Sequence, residues 1–318
     1  MPARPTLHPH SPFNAQSDAD GLYKSMKGLG TDEKQLTSIL TARVWKQRQE
    51  ISRAYQEKYR KSLLADVKSD TSGDYYRLLK ALIQSPEVSD AKDLNYAMKG
   101  IGTDEDLLME ILFTRTNSEL HNIDKAYLEL FKVPLSTAIK NDTSGDFRNL
   151  LLAIAAGKRD ANSTSYNPNQ AIDDGKALYD AGPNRLGTNM AKFTEIFSQR
   201  SMDHLWKVFH EFKMIAKMDI LDAIKSEMSG DAAKAFRTLA YIILNAEEYF
   251  AFRLAEALKR PVKDRTVIRV IVSRSENDLA NIKDQFRKVA HKSLETCIED
   301  ETSSDYKTAL LDLVGRRK

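Results

Sequence analysis

Two short elements in this chain of 318 residues have the residue types and spacing to do chemistry, and they recur together. Met26-Lys-Gly-Leu-Gly-Thr-Asp-Glu33 returns 72 residues later as Met98-Lys-Gly-Ile-Gly-Thr-Asp-Glu105, and Ser69-Asp-Thr-Ser-Gly-Asp74 returns with the same shift as Asn141-Asp-Thr-Ser-Gly-Asp146. A third copy pairs Gly182-Pro-Asn-Arg-Leu-Gly-Thr188 with Ser226-Glu-Met-Ser-Gly-Asp231. In all three, the acid (Asp70, Asp142 or Glu227) follows the second glycine of its loop (Gly30, Gly102 or Gly187) by 40 residues. Glycine admits positive φ, so a tight loop can turn several carbonyl oxygens toward one point. Calcium accepts about six to eight oxygens at about 2.3–2.6 Å, mixing backbone carbonyls, water and a bidentate carboxylate. Joint recurrence of loop and acid implies that the two meet in space, and together they meet that requirement.

The fourth copy is damaged. Leu258-Lys-Arg-Pro-Val-Lys-Asp264 stands where the glycine loop belongs, one residue short and without either glycine, while Glu301-Thr-Ser-Ser-Asp305 follows downstream. It is expected to bind no calcium. Other chemistries lack their residues. No strand pattern or third glycine supports a dinucleotide fingerprint, and no phosphate loop of the Gly-Lys-Ser/Thr kind occurs. His8, His10, His121, His204, His210 and His291 show no metal-ligand spacing, and no nucleophile–base arrangement stands out, so no enzyme is expected.

The elements that must position these loops are helices. Leu36, Ile39 and Leu40 form one apolar stripe at helical spacing; Ile51, Ala54, Tyr55 and Tyr59 form a second; Tyr75, Leu78, Leu79, Leu82 and Ile83 form a third. Thr31, Thr103 and Thr188 each precede a stripe and read as N-caps. Arg43, Arg115, Arg200 and Arg274 follow the four loops in register and read as cations in a last helical turn, where they suit the macrodipole. With 13 Gly and 9 Pro the chain is poor in turn-formers, which disfavours sandwiches and barrels and favours an all-α protein. Four similar units, each too small to stand comfortably alone, should bury their faces against one another. The expected boundaries are an arm at 1–17, repeats at 18–87 and 88–157, a linker at 158–170, and repeats at 171–246 and 247–318, the last with a degenerate loop.

Composition bounds the partners. Lys and Arg number 48 against 45 Asp and Glu, a formal charge of +3, too balanced to grip nucleic acid through a net field. No run approaches the roughly 20 apolar residues of a membrane span. The Pro-punctuated N-terminus lacks the apolar stretch of a signal peptide and cannot easily form an amphipathic helix, so a cytoplasmic protein is expected. The lone Cys297 excludes an internal disulfide framework and reads as a buried thiol.

On these residues the chain resembles an annexin from about Phe13 to Gly315. The resemblance rests on the two Met-Lys-Gly-x-Gly-Thr loops, the linked acids in four-repeat register, Asp18, Asp20 and Leu22 at the start, and Val272-Ser-Arg-Ser-Glu276 in the last unit. It implies a slightly curved helical disc with five helices per repeat and calcium loops on its convex side, bridging to acidic phospholipid headgroups. Carried over position by position, it implies three calcium sites. The first would use the carbonyls of Met26, Gly28 and Gly30 with the carboxylate of Asp70; the second, Met98, Gly100, Gly102 and Asp142. The third, on a longer loop, would use Gly182, Arg185, Gly187 and Glu227.

Lipid contacts are expected from Lys27 and Lys99, from the apolar tip Leu186, and from Arg260 or Lys263 in place of the missing fourth ion. The plainer expectation for Arg260 is an exposed pairing with Glu301. A single acid per site places intrinsic calcium affinity at the weak end, about 10⁻⁴ to 10⁻³ M, so lipid must complete each site. Lipid tightens calcium binding and calcium tightens lipid binding reciprocally. The expected function is calcium-dependent attachment to acidic phospholipid membranes, with a role in membrane organisation or trafficking. The competing class is a calcium-independent cytoskeletal scaffold with vestigial sites. Self-association on membranes stays open.

Overall fold

The computed structural model describes residues 2–28, 30–100, 102–160 and 167–316. It is all-α, with no strand among the described residues. The chain divides into two compact units, Met1–Pro86 with Glu247–Lys318, and Glu87–Ala246.

The first unit holds α1 (Ala15–Ser25), α2 (Glu33–Leu40), α3 (Trp45–Tyr59), α4 (Leu63–Asp70) and α5 (Gly73–Ile83). The second runs through α6 (Pro86–Ala97), α7 (Glu105–Thr114), α8 (Asn117–Phe131), α9 (Leu135–Asp142) and α10 (Gly145–Ala155). It continues with α11 (Pro168–Ala181), α12 (Met190–Gln199), α13 (Met202–Ala216), α14 (Ile220–Glu227) and the start of α15 (Gly230–Ala257). Helix α15 breaks at Asn245 (φ −160°, ψ 83°), so 230–244 closes one set of five helices and 246–257 opens the next. The remainder of that set, α16 (Asp264–Ser275), α17 (Leu279–Ala290), α18 (Leu294–Glu301) and α19 (Ser304–Leu313), returns to the first unit. Helix α11 starts at Pro168, inside the stretch expected as linker; positions 161–166 of that linker lie outside the described residues.

The apolar stripes face inward as their periodicity requires. Leu36 and Leu40 of α2, Ile51 and Tyr55 of α3, and Leu78, Leu79 and Leu82 of α5 are fully buried. Two readings are corrected. The N-caps of α2, α7 and α12 are Asp32, Asp104 and Asn189, not the threonines before them: each side chain accepts the backbone N–H three residues on. Nor do three of the register arginines lie in a last helical turn; Arg274 does, at the end of α16, while the other three stand just past their helices. Arg43, Arg115 and Arg200 each clasp an aspartate 25 or 26 residues earlier with two hydrogen bonds: Asp18 (2.6 and 2.9 Å), Asp90 (2.6 and 3.0 Å) and Asp174 (2.6 and 3.1 Å). A guanidinium fork matches a carboxylate bidentately, and nearly dry surroundings favour that pairing over a weak helix-end field. In the last set Arg274 turns instead to Asp278, four residues on, at 2.7 and 2.5 Å, and lies 4.7 Å from the centre of the Phe250 ring. Cys297 is half-buried rather than buried.

The N-terminal arm is non-helical up to α1, as expected, but it is stitched down. Thr6 and Leu7 donate N–H to the Ser275 carbonyl at 2.9 Å, the Arg4 carbonyl accepts from Ala280, and Leu7 is buried.

Candidate metal centres

Each helical set places the end of its first helix beside the start of its second, and one backbone bond closes the loop between them. Asp32 donates to the Ser25 carbonyl (2.8 Å), Asp104 to Ala97 (2.9 Å), Asn189 to Ala181 (2.7 Å) and Lys263 to Ala257 (2.8 Å). The four loops are therefore anchored alike, and their chemistry differs by what lies between the anchors.

In the first three, glycines take conformations that side chains rarely adopt: φ is 126° and 89° at Gly28 and Gly30, 119° and 86° at Gly100 and Gly102, and 77° at Gly187. Gly182 is different. Its φ is negative, and its hydrogen is needed because a Cβ would press to 3.3 Å from the Phe193 ring. The carbonyls of Met26, Gly28, Gly30, Met98, Gly100, Gly102, Arg185 and Gly187 accept no bond from a described backbone amide, while that of Gly182 accepts from Arg185 at 3.1 Å. An oxygen with two lone pairs can still take a second partner.

The acids come to these loops from the last residues of α4, α9 and α14, and the threonine before each N-cap ties them there. The hydroxyls of Thr31, Thr103 and Thr188 donate across 39 residues to the carbonyls of Asp70 (3.2 Å), Asp142 (3.2 Å) and Glu227 (2.9 Å). Thr103 also lies 2.7 Å from the Asp142 carboxylate, drawing it toward the loop, whereas the Asp70 carboxylate accepts from Ser69 at 2.7 Å. The loop threonine thus meets the backbone of the acid-bearing residue in all three sets, and among the described contacts it meets the carboxylate in the second. The signal for the threonines was present, since Gly-Thr recurs in all three copies and Val262 replaces it in the fourth.

Among the described residues no cluster of three or more His, Cys, Asp or Glu could hold a metal, so backbone oxygen must supply most of any coordination. Such a donor set fits a hard cation, calcium above all, and not zinc. Beside the first loop lies an open polar depression of about 560 Å³, lined by Lys24, Lys27, Gly30, Thr31, Asp32 and Asp305 among others. Lys27 and Lys99 are exposed, and Leu186 projects wholly into solvent from the third loop.

The fourth loop brings a different cation to its acid. Arg260 donates its Nε to Glu301 Oε2 at 2.7 Å, which agrees with the plainer expectation, and that hydrogen bond raises the Arg260 pKa above its ordinary value. Neither a glycine nor a threonine remains between the anchors.

Frame and loops together define a helical repeat protein with three glycine loops whose carbonyls suit a hard cation. A family model described as Annexin matches residues 17–82, 89–154, 174–239 and 249–313. Annexin A8 of Bos taurus is 44% identical over 308 residues, spanning 96% of this chain and 94% of its own length. The solved structure of annexin III matches at 42% identity with a TM-score of 0.95, covering 99% of this chain and 98% of its own. Calcium-bound annexin (Sm)1 matches at 32% identity with a TM-score of 0.91, covering 98% and 93%. This chain belongs to the annexin family, whose members bind calcium and, through it, phospholipid. No helix among the described residues is long and apolar enough to cross a membrane.

Proposed function

We propose that this protein attaches peripherally to acidic phospholipid surfaces from the cytoplasm when calcium rises, and serves membrane organisation or trafficking rather than catalysis. The ions would be held by the carbonyls of Met26, Gly28 and Gly30 with Asp70, those of Met98, Gly100 and Gly102 with Asp142, and those of Gly182, Arg185 and Gly187 with Glu227. The observation that carries the reading is that these loops, rich in unengaged carbonyls, are each tied by a threonine hydroxyl to the residue bearing the acid. Asp is one methylene shorter than Glu, so Asp70 and Asp142 reach less far than Glu227.

One acid per site leaves several positions for water or lipid oxygen, and that makes the membrane a partner in calcium binding. A phosphate that replaces water adds negative charge where a divalent ion needs it, and linkage makes the gain reciprocal. Lys27 and Lys99 would draw anionic headgroups toward the loops, and Leu186 would dip shallowly among them. The test is co-sedimentation with phosphatidylserine vesicles over a calcium titration, for the parent chain and for Asp70→Ala, Asp142→Ala and Glu227→Ala. Each variant should need more calcium than the parent. Binding that persists unchanged in chelator would instead favour a calcium-independent scaffold with vestigial sites.

A further inference from the structure

The fourth loop has lost every feature that serves a calcium ion except the acid. Its anchor is intact, because Lys263 closes on Ala257 at 2.8 Å, within 0.1 Å of its three counterparts. Glu301 ends α18 as Asp70, Asp142 and Glu227 end α4, α9 and α14. Val262 has no hydroxyl to span from loop to acid, and Arg260 makes that span instead through its guanidinium.

Burial sets which group faces outward. The Arg260 side chain is 79% exposed and that of Glu301 only 25%, so the acid lies behind and the cation in front. A guanidinium carries five N–H donors. The Nε bond to Glu301 fixes its orientation and leaves the terminal fork toward solvent, where its geometry matches two oxygens of a phosphate. Lys259 and Lys263, both exposed, flank it in sequence, and Lys259 is paired with Glu256. Three sister loops supply the internal control: where glycines and a threonine stand, the acid is left to a mobile ion, and where they are absent, the chain brings a cation of its own.

We propose that the fourth loop is a calcium-independent site for a phosphate mono- or diester, in which Arg260, oriented by Glu301, provides the positive charge that a bound ion provides elsewhere. This rests on the lipid-binding reading above and adds to it a contact that calcium does not control. Glu301 is a positioning residue; Arg260 touches the anion. A lipid headgroup and a soluble phosphate ester share this chemistry, and the experiment separates them.

The full chain is sedimented with phosphatidylserine-containing vesicles and with pure phosphatidylcholine vesicles, in chelator and in calcium. In chelator at low salt the parent should retain weak binding to the anionic vesicles only. Arg260→Gln should reduce that residual binding about fivefold, the loss expected for one cation at an anionic surface, while the number of calcium ions bound per chain stays the parent's. Arg260→Lys should keep part of it, having the charge without the fork. Inorganic phosphate added at low concentration should displace the residual binding if the site takes free anion, and leave it intact if it needs the headgroup in a surface.

A second variant replaces residues 258–262 by the sequence found at 98–103. It restores glycines and threonine in front of Glu301, so it should bind one calcium more per chain than the parent and lose the chelator-resistant fraction. Residual binding that Arg260→Gln leaves unchanged would show a mere clamp between loop and helix, and would overturn the proposal; so would the absence of any residual binding by the parent. A failure of the calcium arm alone, in parent and variants together, would instead overturn the broader reading. Thermal unfolding of each variant confirms that it is folded.

Discussion

In the second repeat Asp90 reaches Arg115 across 25 residues, Thr103 touches Asp142, and Gly100, Gly102 and Gly145 hold positive φ. In the fourth the arginine turns to a neighbour four residues on beneath an aromatic ring, valine replaces the threonine, arginine and proline fill the loop, and Ser304 takes the positive φ. Yet both loops close on the same backbone bond, and both keep the carboxylate at the end of the fourth helix. Helix ends and apolar stripes are shared because packing constrains them. Loop residues facing solvent lack that constraint, and it is there that the two repeats differ most.

The largest break in this comparison should come from the buried clasp. Arg115 and Asp90 are 10% and 7% exposed, and removing one partner strands the other's charge. Asp90→Ala should cost about 3–5 kcal/mol of stability in denaturant unfolding. Asp278→Ala should cost less, about 1.5–3 kcal/mol, since Arg274 keeps the Phe250 ring as an alternative support. Equal losses would mean that the two clasps are interchangeable.

Those clasps mark where the sequence was read short. The loop–acid pairing was legible because two motifs shifted together, and the helices because their apolar residues kept a 3.6-residue period. Asp18, Asp90 and Asp174 share a register of 25 or 26 residues with Arg43, Arg115 and Arg200, but a lone aspartate in a polar helix face carries no local sign of being buried. The threonines were misassigned for a related reason. A hydroxyl just before a helix suits an N-cap, and only the fold shows that the next residue has taken the cap and left the hydroxyl free to reach the acid's helix. Likewise Gly182 and Gly187 look alike in sequence; one is required by the Phe193 ring and the other by its own φ.

Calcium affinity separates the two repeats next. Asp142→Ala should raise the calcium needed for vesicle binding by at least the factor of about 10–100 that loss of an outer-shell partner costs a metal site. Glu301→Ala should leave that requirement unchanged, since no calcium is expected there. Thr103→Val, which gives the second repeat the fourth repeat's residue, should fall at the lower end, about tenfold, because the carboxylate stays but loses the hydroxyl that draws it toward the loop. A Thr103→Val titration that overlays the parent's would reduce the threonine to a packing residue.

The smallest effect isolates backbone conformation from everything else. Gly73, Gly145 and Gly230 open α5, α10 and α15 at φ 61°, 59° and 62°, and Ser304 opens α19 at φ 53°. A Cβ at Gly145 would meet nothing within 4 Å, so Gly145→Ser adds no clash, only the cost of a left-handed serine. It should destabilise by about 0.5–1 kcal/mol, and Ser304→Gly should recover a similar amount, less the entropy that an added glycine gives the unfolded chain. The two shifts in unfolding midpoint should be opposite in sign and about 1–3 °C in size. If Ser304→Gly instead destabilises, the serine side chain makes a contact that offsets its strained backbone, and the fourth repeat's departure at this position was compensated rather than merely tolerated.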